Sequence, residues 1–327
     1  MRRTSVFLAL AIFGGGIGPA AAQTMSYAEG ISQVSTVCRS DIARFCRGVP
    51  LGPRLRACFD ANEARMSPQC RQTAQTVYAS ITRRAAAQRD IGEVCSADIM
   101  RLCGTSFADA NLVECMAGLA PQAMSPRCYQ TFMDTGWGTA ALAQQGINSA
   151  LMANSLAGVS RSGKLSLTGA QMRQAVLDNI RNYPGALPSH PLSFPELEGL
   201  TQIVVEVEFD FNSDIIKPSS WRTVGAIADA LHHPLLLGYG FLVIGHTDSV
   251  GGRAFNVGLS QRRAEAIRTA LIDPFGVNPA VLEAVGMGEE QLRDPAHPTS
   301  GVNRRVQLVN VGKKFCFGRS GEQFVCP

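Results

Sequence analysis

The sequence predicts an α+β fold, with disulfide-stapled α-helical repeats at the N-terminus followed by a two-layer α/β sandwich. Three observations predict it. Eight of the 10 cysteines fall into two sets of four with matching spacing, residues 201–313 alternate strand and helix patterns, and residues 133–200 between them have a linker's composition. A length of 327 residues has room for two or three domains. Hydrophobic residues make up 46% and charged residues 17%, a globular composition that is neither disordered nor collagen-like. The charge is nearly even, 30 basic residues against 26 acidic for a formal +4. That excludes nucleic acid as the default partner, which is held by clustered cations.

The chain begins with Arg2 and Arg3, an apolar run from Val6 to Phe13, and a Gly-rich stretch ending in Ala20, Ala21 and Ala22. These are the parts of a secretory signal, so residues 1–22 are expected to be a signal peptide cleaved before Gln23. A membrane anchor would need about 20 unbroken apolar residues, and Gly14, Gly15, Gly16, Gly18 and Pro19 interrupt this run. Further along, the best spanning candidate, Ala140 to Val159, contains Gln144, Gln145, Asn148 and Asn154. No series of alternating strands is long enough for an outer-membrane barrel. The expected location is the periplasm, against the cell wall and within reach of the outer membrane, where cysteines pair.

Cys38, Cys46, Cys58 and Cys70 are separated by 8, 12 and 12 residues, and Cys95, Cys103, Cys115 and Cys128 by 8, 12 and 13. Flanking residues agree too: Val37-Cys38-x-x-Asp41-Ile42 matches Val94-Cys95-x-x-Asp98-Ile99, and Met66-Ser67-Pro68 matches Met124-Ser125-Pro126. Residues 30–132 are thus a tandem duplication. Each unit reads as helical. Ser67-Pro68 and Ser125-Pro126 put a capping hydroxyl before a proline suited to a first turn, and Ala74, Val77, Tyr78 and Ile81 follow at helical spacing. Gly48, Pro50, Gly52 and Pro53 turn the chain between Cys46 and Cys58. A helical hairpin would bring Cys46 near Cys58 and Cys38 near Cys70, one of three pairings that the spacing leaves open. Each bridge would add about 3 kcal/mol. Zinc or redox sites are disfavoured, because no Cys-x-x-Cys occurs and all five histidines lie outside the repeats. The spacing resembles the cysteine-rich repeat of a Golgi growth-factor-receptor-like glycoprotein, also found in exported bacterial proteins. Arg44, Arg54, Arg56, Arg83 and Arg84 make the segment mildly basic. This reads as a solvated face or as a surface for an outer-membrane or periplasmic protein partner.

Residues 133–200 are rich in Ala, Gly, Ser and Gln and then in proline, at Pro184, Pro188, Pro191 and Pro195. They read as a linker with one short helix, opened by Thr168 and carrying Met172, Val176, Leu177 and Ile180 on one side to dock on a neighbouring domain.

In residues 201–313, Ile203, Val205, Val207, Phe209 and Phe211 alternate with Glu206, Glu208 and Asp210 as a half-buried strand does. A helix follows from Pro218 through Leu231, then a strand over Phe241 to Ile244. Ser260 is expected to open a second helix, ended by Pro274 and Gly276, and a last strand covers Arg305 to Val311. Strand and helix alternating over this length imply the two-layer sandwich. In the tail, residues 314–327, Cys316 and Cys326 are expected to close a small disulfide hairpin.

Five motifs in order resemble the OmpA-like C-terminal domain: Phe209-Asp210-Phe211-Asn212, Gly245-His246-Thr247-Asp248, Asn256-x-x-Leu259-Ser260-x-x-Arg263, Gly286-x-Gly288-Glu289 and Asn303-Arg304-Arg305-Val306. One departure stands at Gly301-Val302-Asn303, which lacks a basic residue and some loop length that the family usually has. The resemblance implies non-covalent capture of peptidoglycan through diaminopimelate, whose side arm carries both a carboxylate and an ammonium. Asp248 matches the family's anion and Arg263 its cation, with Asn256, Thr247, Asn212 and Arg305 completing the expected site. Arginine suits the cation position because its fork grips a carboxylate at two points. Placing Arg263 in the first turn after Ser260 would add the helix's positive field. His246 with Asp248 and Ser249 invites a catalytic reading, but no activated nucleophile accompanies them. The resemblance makes the histidine part of a turn. The sequence thus points to a non-enzymatic wall-binding protein without a cofactor, tethering the repeats to the wall. Its rival is an envelope enzyme or enzyme inhibitor localised by the same domain.

Overall fold

The computed structural model describes residues 24–104, 112–138, 147–157, 167–317 and 323–325. The signal segment and the pairing of Cys316 with Cys326 lie outside the described residues. The architecture is α+β.

Among the described residues the repeats form seven α-helices: α1 (Tyr27–Val37), α2 (Arg39–Phe45), α3 (Pro53–Asn62), α4 (Pro68–Val94), α5 (Ser96–Leu102), α6 (Leu112–Gly118) and α7 (Pro126–Thr135). Both Ser-Pro steps cap as their chemistry requires: Ser67 Oγ accepts from the N–H of Cys70, and Ser125 Oγ from that of Cys128. A buried aspartate from the preceding short helix locks each cap. Asp41 accepts from Ser67 N and Oγ at 3.1 and 2.7 Å, and Asp98 accepts from Ser125 N and Oγ at 2.9 and 2.6 Å. The cysteines pair inside each repeat and in nested order: Cys38–Cys70 around Cys46–Cys58, then Cys95–Cys128 around Cys103–Cys115.

Four strands build the main sheet: β1 (Gln202–Val205), β2 (Tyr239–His246), β3 (Leu282–Gly288) and β4 (Val306–Lys313), in the order β1-β4-β2-β3. β2 and β3 are parallel and joined through helix α12 (Arg253–Ile272), whereas β4 runs antiparallel to both β1 and β2. Helix α11 (Trp221–Leu231) connects β1 to β2. β5 (Phe315–Phe317) and β6 (Gln323–Val325) form a separate hairpin.

Three elements differ from the sequence reading. The first strand, expected to run to Phe211, leaves the sheet after Val205, and Phe209 keeps only an isolated bridge to Ile216. β3 had no counterpart among the expected strands. The helix expected at Ser260 begins at Arg253, and Ser260 lies inside it, donating to Val257 O and accepting from Gly288 N. Its hydroxyl latches α12 to β3 instead of capping.

Among its described residues the segment 133–200 contains three helices: α8 (Ile147–Ala157), α9 (Gly169–Asn182) and α10 (Pro195–Glu198). Thr168 and Gln171 form a capping box at the start of α9. The reason lies in β2, which is apolar on both faces and so needs cover on both. Phe241 and Val243 pack with α11 and α12, while Leu242 and Ile244 pack with Met172 and Val176 of α9 and with Phe194, Leu197 and Leu200 around α10.

The first repeat and the sheet region share one hydrophobic core, in which Tyr27, Ile31 and Ile81 meet Val224, Ile227 and Phe275. Asp229 of α11 caps α1, its carboxylate oxygens accepting from the N–H groups of Tyr27 and Ala28, both at 3.0 Å. Arg84 of α4 lies 3.4 Å from the same carboxylate, and both side chains are buried. α1 crosses α11 so closely that a Cβ on Gly225 would stand 2.7 Å from the Ala28 Cα.

Candidate functional site: a charged groove beside the sheet

A groove of about 1030 Å³ opens where the chain leaves β2. Its walls are the segment following β1, the turn after β2, the first half of α12 and the loop before β4. Asp248 sits in the turn, largely buried, with Oδ1 accepting from the N–H of Val250 at 3.1 Å. Its Oδ2 lies 2.5 Å from Nη1 of Arg304. Arg263 stands across the groove. Its Nε donates to Ser213 O at 2.9 Å and its guanidinium lies 4.9 Å from the centroid of the Phe209 ring. Burial, and then the nearby Arg304, lowers the Arg263 pKa. The two outer nitrogens of its fork have no hydrogen-bond partner among the described residues. Arg263 therefore does not simply pair with Asp248, because Arg304 does. Lying well past the first turn of α12, it owes nothing to the helix N-terminus.

The other expected residues divide. Asn256 is buried, with Nδ2 donating to Asp248 O at 3.3 Å and to Glu289 Oε2, so it holds the Asp248 turn in place. Thr247 lines the groove with a buried hydroxyl that has no partner among the described residues. Asn212 lines it from a tight turn at φ 52°, a conformation that asparagine tolerates. Arg305 is not in the groove. Its guanidinium donates to Asn303 O at 3.3 Å and Gln291 O at 3.0 Å, and burial lowers its pKa to about 10. The groove cation is its neighbour Arg304, since successive residues on extended backbone face opposite ways.

Beneath the groove, Glu289 is fully buried, and burial raises its pKa. Arg253 grips the adjacent Glu290 with Nε to Oε1 at 2.7 Å, and Asn179 of α9 donates to the same carboxylate at 2.8 Å. His246 meets Gln307 Oε1 at 3.1 Å, not Asp248 or Ser249, and burial lowers its pKa to about 3. Burial thus favours the neutral ring. Four apolar side chains stand exposed around the groove: Phe211 at 99%, Val250 at 63%, Phe255 at 47% and Val302 at 47%. The sequence reading gave none of the four a role at the rim. Among the described residues no cluster has the makings of a metal site, and no helix is long and apolar enough to cross a membrane.

The mixed four-stranded sheet and the groove beside the end of β2 lie in a C-terminal segment that is OmpA-like by sequence. Residues 208–305 match the OmpA family. The chain is 38% identical over 111 residues to outer membrane porin F of Pseudomonas fluorescens, covering 33% of each protein. It is 34% identical over 115 residues to the peptidoglycan-associated lipoprotein of Pseudomonas aeruginosa, covering 34% of this chain and 65% of that one. It thus spans about a third of the length of the porins it matches.

Proposed function

We propose that this chain binds peptidoglycan non-covalently, with Asp248 and Arg263 taking the two charges of the diaminopimelate side arm, and holds its cysteine-rich repeats at the wall. One observation carries the reading: the groove keeps a carboxylate and an unengaged guanidinium fork on opposite walls without letting them neutralise each other. A zwitterionic arm can lie between them, its carboxylate in the Arg263 fork and its ammonium at Asp248. Arg304 then turns outward, which its half-exposed position permits. The likeness to a protein named for its association with peptidoglycan supports the same reading. A shared core with the first repeat would make the tether rigid at this junction.

Co-sedimentation of residues 23–327 with purified sacculi tests the proposal. Diaminopimelate-type wall should pull the protein down, and lysine-type wall, whose stem lacks the side-arm carboxylate, should not. Equal sedimentation with both walls would defeat the assignment of that carboxylate to Arg263.

A further inference from the structure

We infer that the disulfide-closed tip of the first repeat is a docking surface for an anionic lipid headgroup layer, formed by Arg44, Arg47, Arg54 and Arg65. Arg44, Arg47 and Arg54 lie within four residues of a cysteine of the Cys46–Cys58 bridge, and Arg65 shares the Phe45 ring with Arg44. Arg54 precedes Cys58 by one helical turn on α3 and shares its face. Cys46 is flanked by Arg44 and Arg47. The guanidinium carbons of Arg44 and Arg65 lie 5.0 and 4.6 Å from the centroid of the Phe45 ring, which joins the end of α2 to the end of α3. All four arginines are exposed, and none is paired with a carboxylate among the described residues.

The second repeat serves as an internal control. It keeps what the fold needs: the nested bridges, the Ser-Pro caps and the buried aspartate that locks each cap. It does not keep the free cations. Arg47, Arg54 and Arg65 correspond to Gly104, Asn111 and Ala123. The one arginine retained, Arg101 in place of Arg44, is neutralised by Asp98 at 2.6 Å and donates to Ala123 O. The arginines of the first tip are therefore not required by the repeat fold.

The partner's chemistry follows from what the tip lacks. Protein interfaces centre on buried aromatic and aliphatic anchors, yet the first exposed large apolar side chain of the described chain is Met100, beyond this repeat. Exposed cations without an exposed large apolar side chain among them suit a diffuse field of phosphates, where each basic residue adds attraction and salt removes it.

Flotation of residues 23–327 with lipid vesicles tests this. Binding is expected to vesicles containing phosphatidylglycerol, not to pure phosphatidylcholine, and to vanish at high salt. Replacing Arg44, Arg47, Arg54 and Arg65 together by Gln should weaken it by about fivefold per arginine, hence several hundredfold in all. The corresponding Lys variant should retain most binding, and Arg127→Gln on the second repeat should change little. Arg263→Ala should float like the parent, which separates this surface from the wall groove. Melting curves confirm that each variant is folded. A folded Gln variant that floats like the parent overturns the inference, as does a parent that ignores anionic vesicles. Loss of wall sedimentation in the Gln variant, without vesicle binding by the parent, would assign these arginines to the wall instead.

Discussion

Arg304 holds Asp248 in an ion pair across the mouth of the groove, and this leaves the fork of Arg263 on the opposite wall free for another carboxylate. The two arginines should therefore respond differently to mutation. Truncating one partner of a desolvated charged contact costs about 2–5 kcal/mol. Arg263→Ala and Asp248→Ala should each weaken wall binding roughly 30-fold or more, with Arg263→Lys restoring little because a point charge cannot form the fork. Arg304→Ala should have a much smaller effect, since it removes a cation from the groove but also a competitor for Asp248. Sedimentation isotherms measured beside melting curves would check this. Arg263→Ala binding like the parent while folded would refute the site.

Acid should destabilise the sheet region through two histidines. Burial lowers His246 to about 3 and His232 to about 4, against about 6.5 in an unfolded chain. A depressed folded pKa means that the stability is fully present above about pH 6.5 and is lost as pH falls through the folded values. Each ring contributes on the order of 3–5 kcal/mol across that window. His246→Gln should flatten part of the acid limb in denaturant titrations, and an unchanged pH slope would show that the ring does not titrate as its burial requires.

Reduction should reach beyond the repeats. Each bridge of the first repeat, closing loops of 32 and 12 residues, is worth about 3–4 kcal/mol by loop entropy. Because Cys38, Cys46 and Cys70 lie in the same core as Val224 and Ile227, replacing Cys38 and Cys70 by Ala should lower the melting temperature reported by Trp221 fluorescence. A Trp221 signal indifferent to the repeat disulfides would show two uncoupled units.

Asp229→Ala should be among the most damaging substitutions. It leaves Arg84 buried without its carboxylate and strips the Tyr27 and Ala28 N–H groups of their acceptor, a loss of about 3–5 kcal/mol for the buried pair. Gly225→Ala, which drives a methyl into the Ala28 backbone, should act in the same direction. Both variants should still unfold in one transition, followed by differential scanning calorimetry. Two separated transitions in the parent would contradict the shared core.

The five ordered motifs made the OmpA-like segment legible and named Asp248 and Arg263, which the fold brings to one groove, because each motif marks a turn or strand end that only a few residues can form. Less legible was whatever depended on long-range packing. Alternation over residues 203–211 reads as one strand, yet Phe209 turns away to sit beneath Arg263. Two adjacent arginines cannot be ranked by sequence, and backbone direction selects Arg304 over Arg305. Ser260 looks like a cap to any local rule, until Gly288 is seen to claim its hydroxyl. In 133–200 the Thr168 helix was legible from its cap and apolar stripe, whereas α8 and α10 were hidden because the faces they cover belong to the sheet region and not to the segment itself.

The hydrogen bond between Tyr27 and Asp229 spans 202 positions of sequence. A chain emerging in order from its N-terminus presents α1 long before Asp229 exists, so the Tyr27 and Ala28 N–H groups must wait, with α1 packed only on α4, until α11 has arrived. Chains dominated by contacts of such separation fold slowly and stay open to aggregation meanwhile. The nested disulfides close loops short enough to form early. They give the waiting segment a local structure of its own while the rest of the chain arrives.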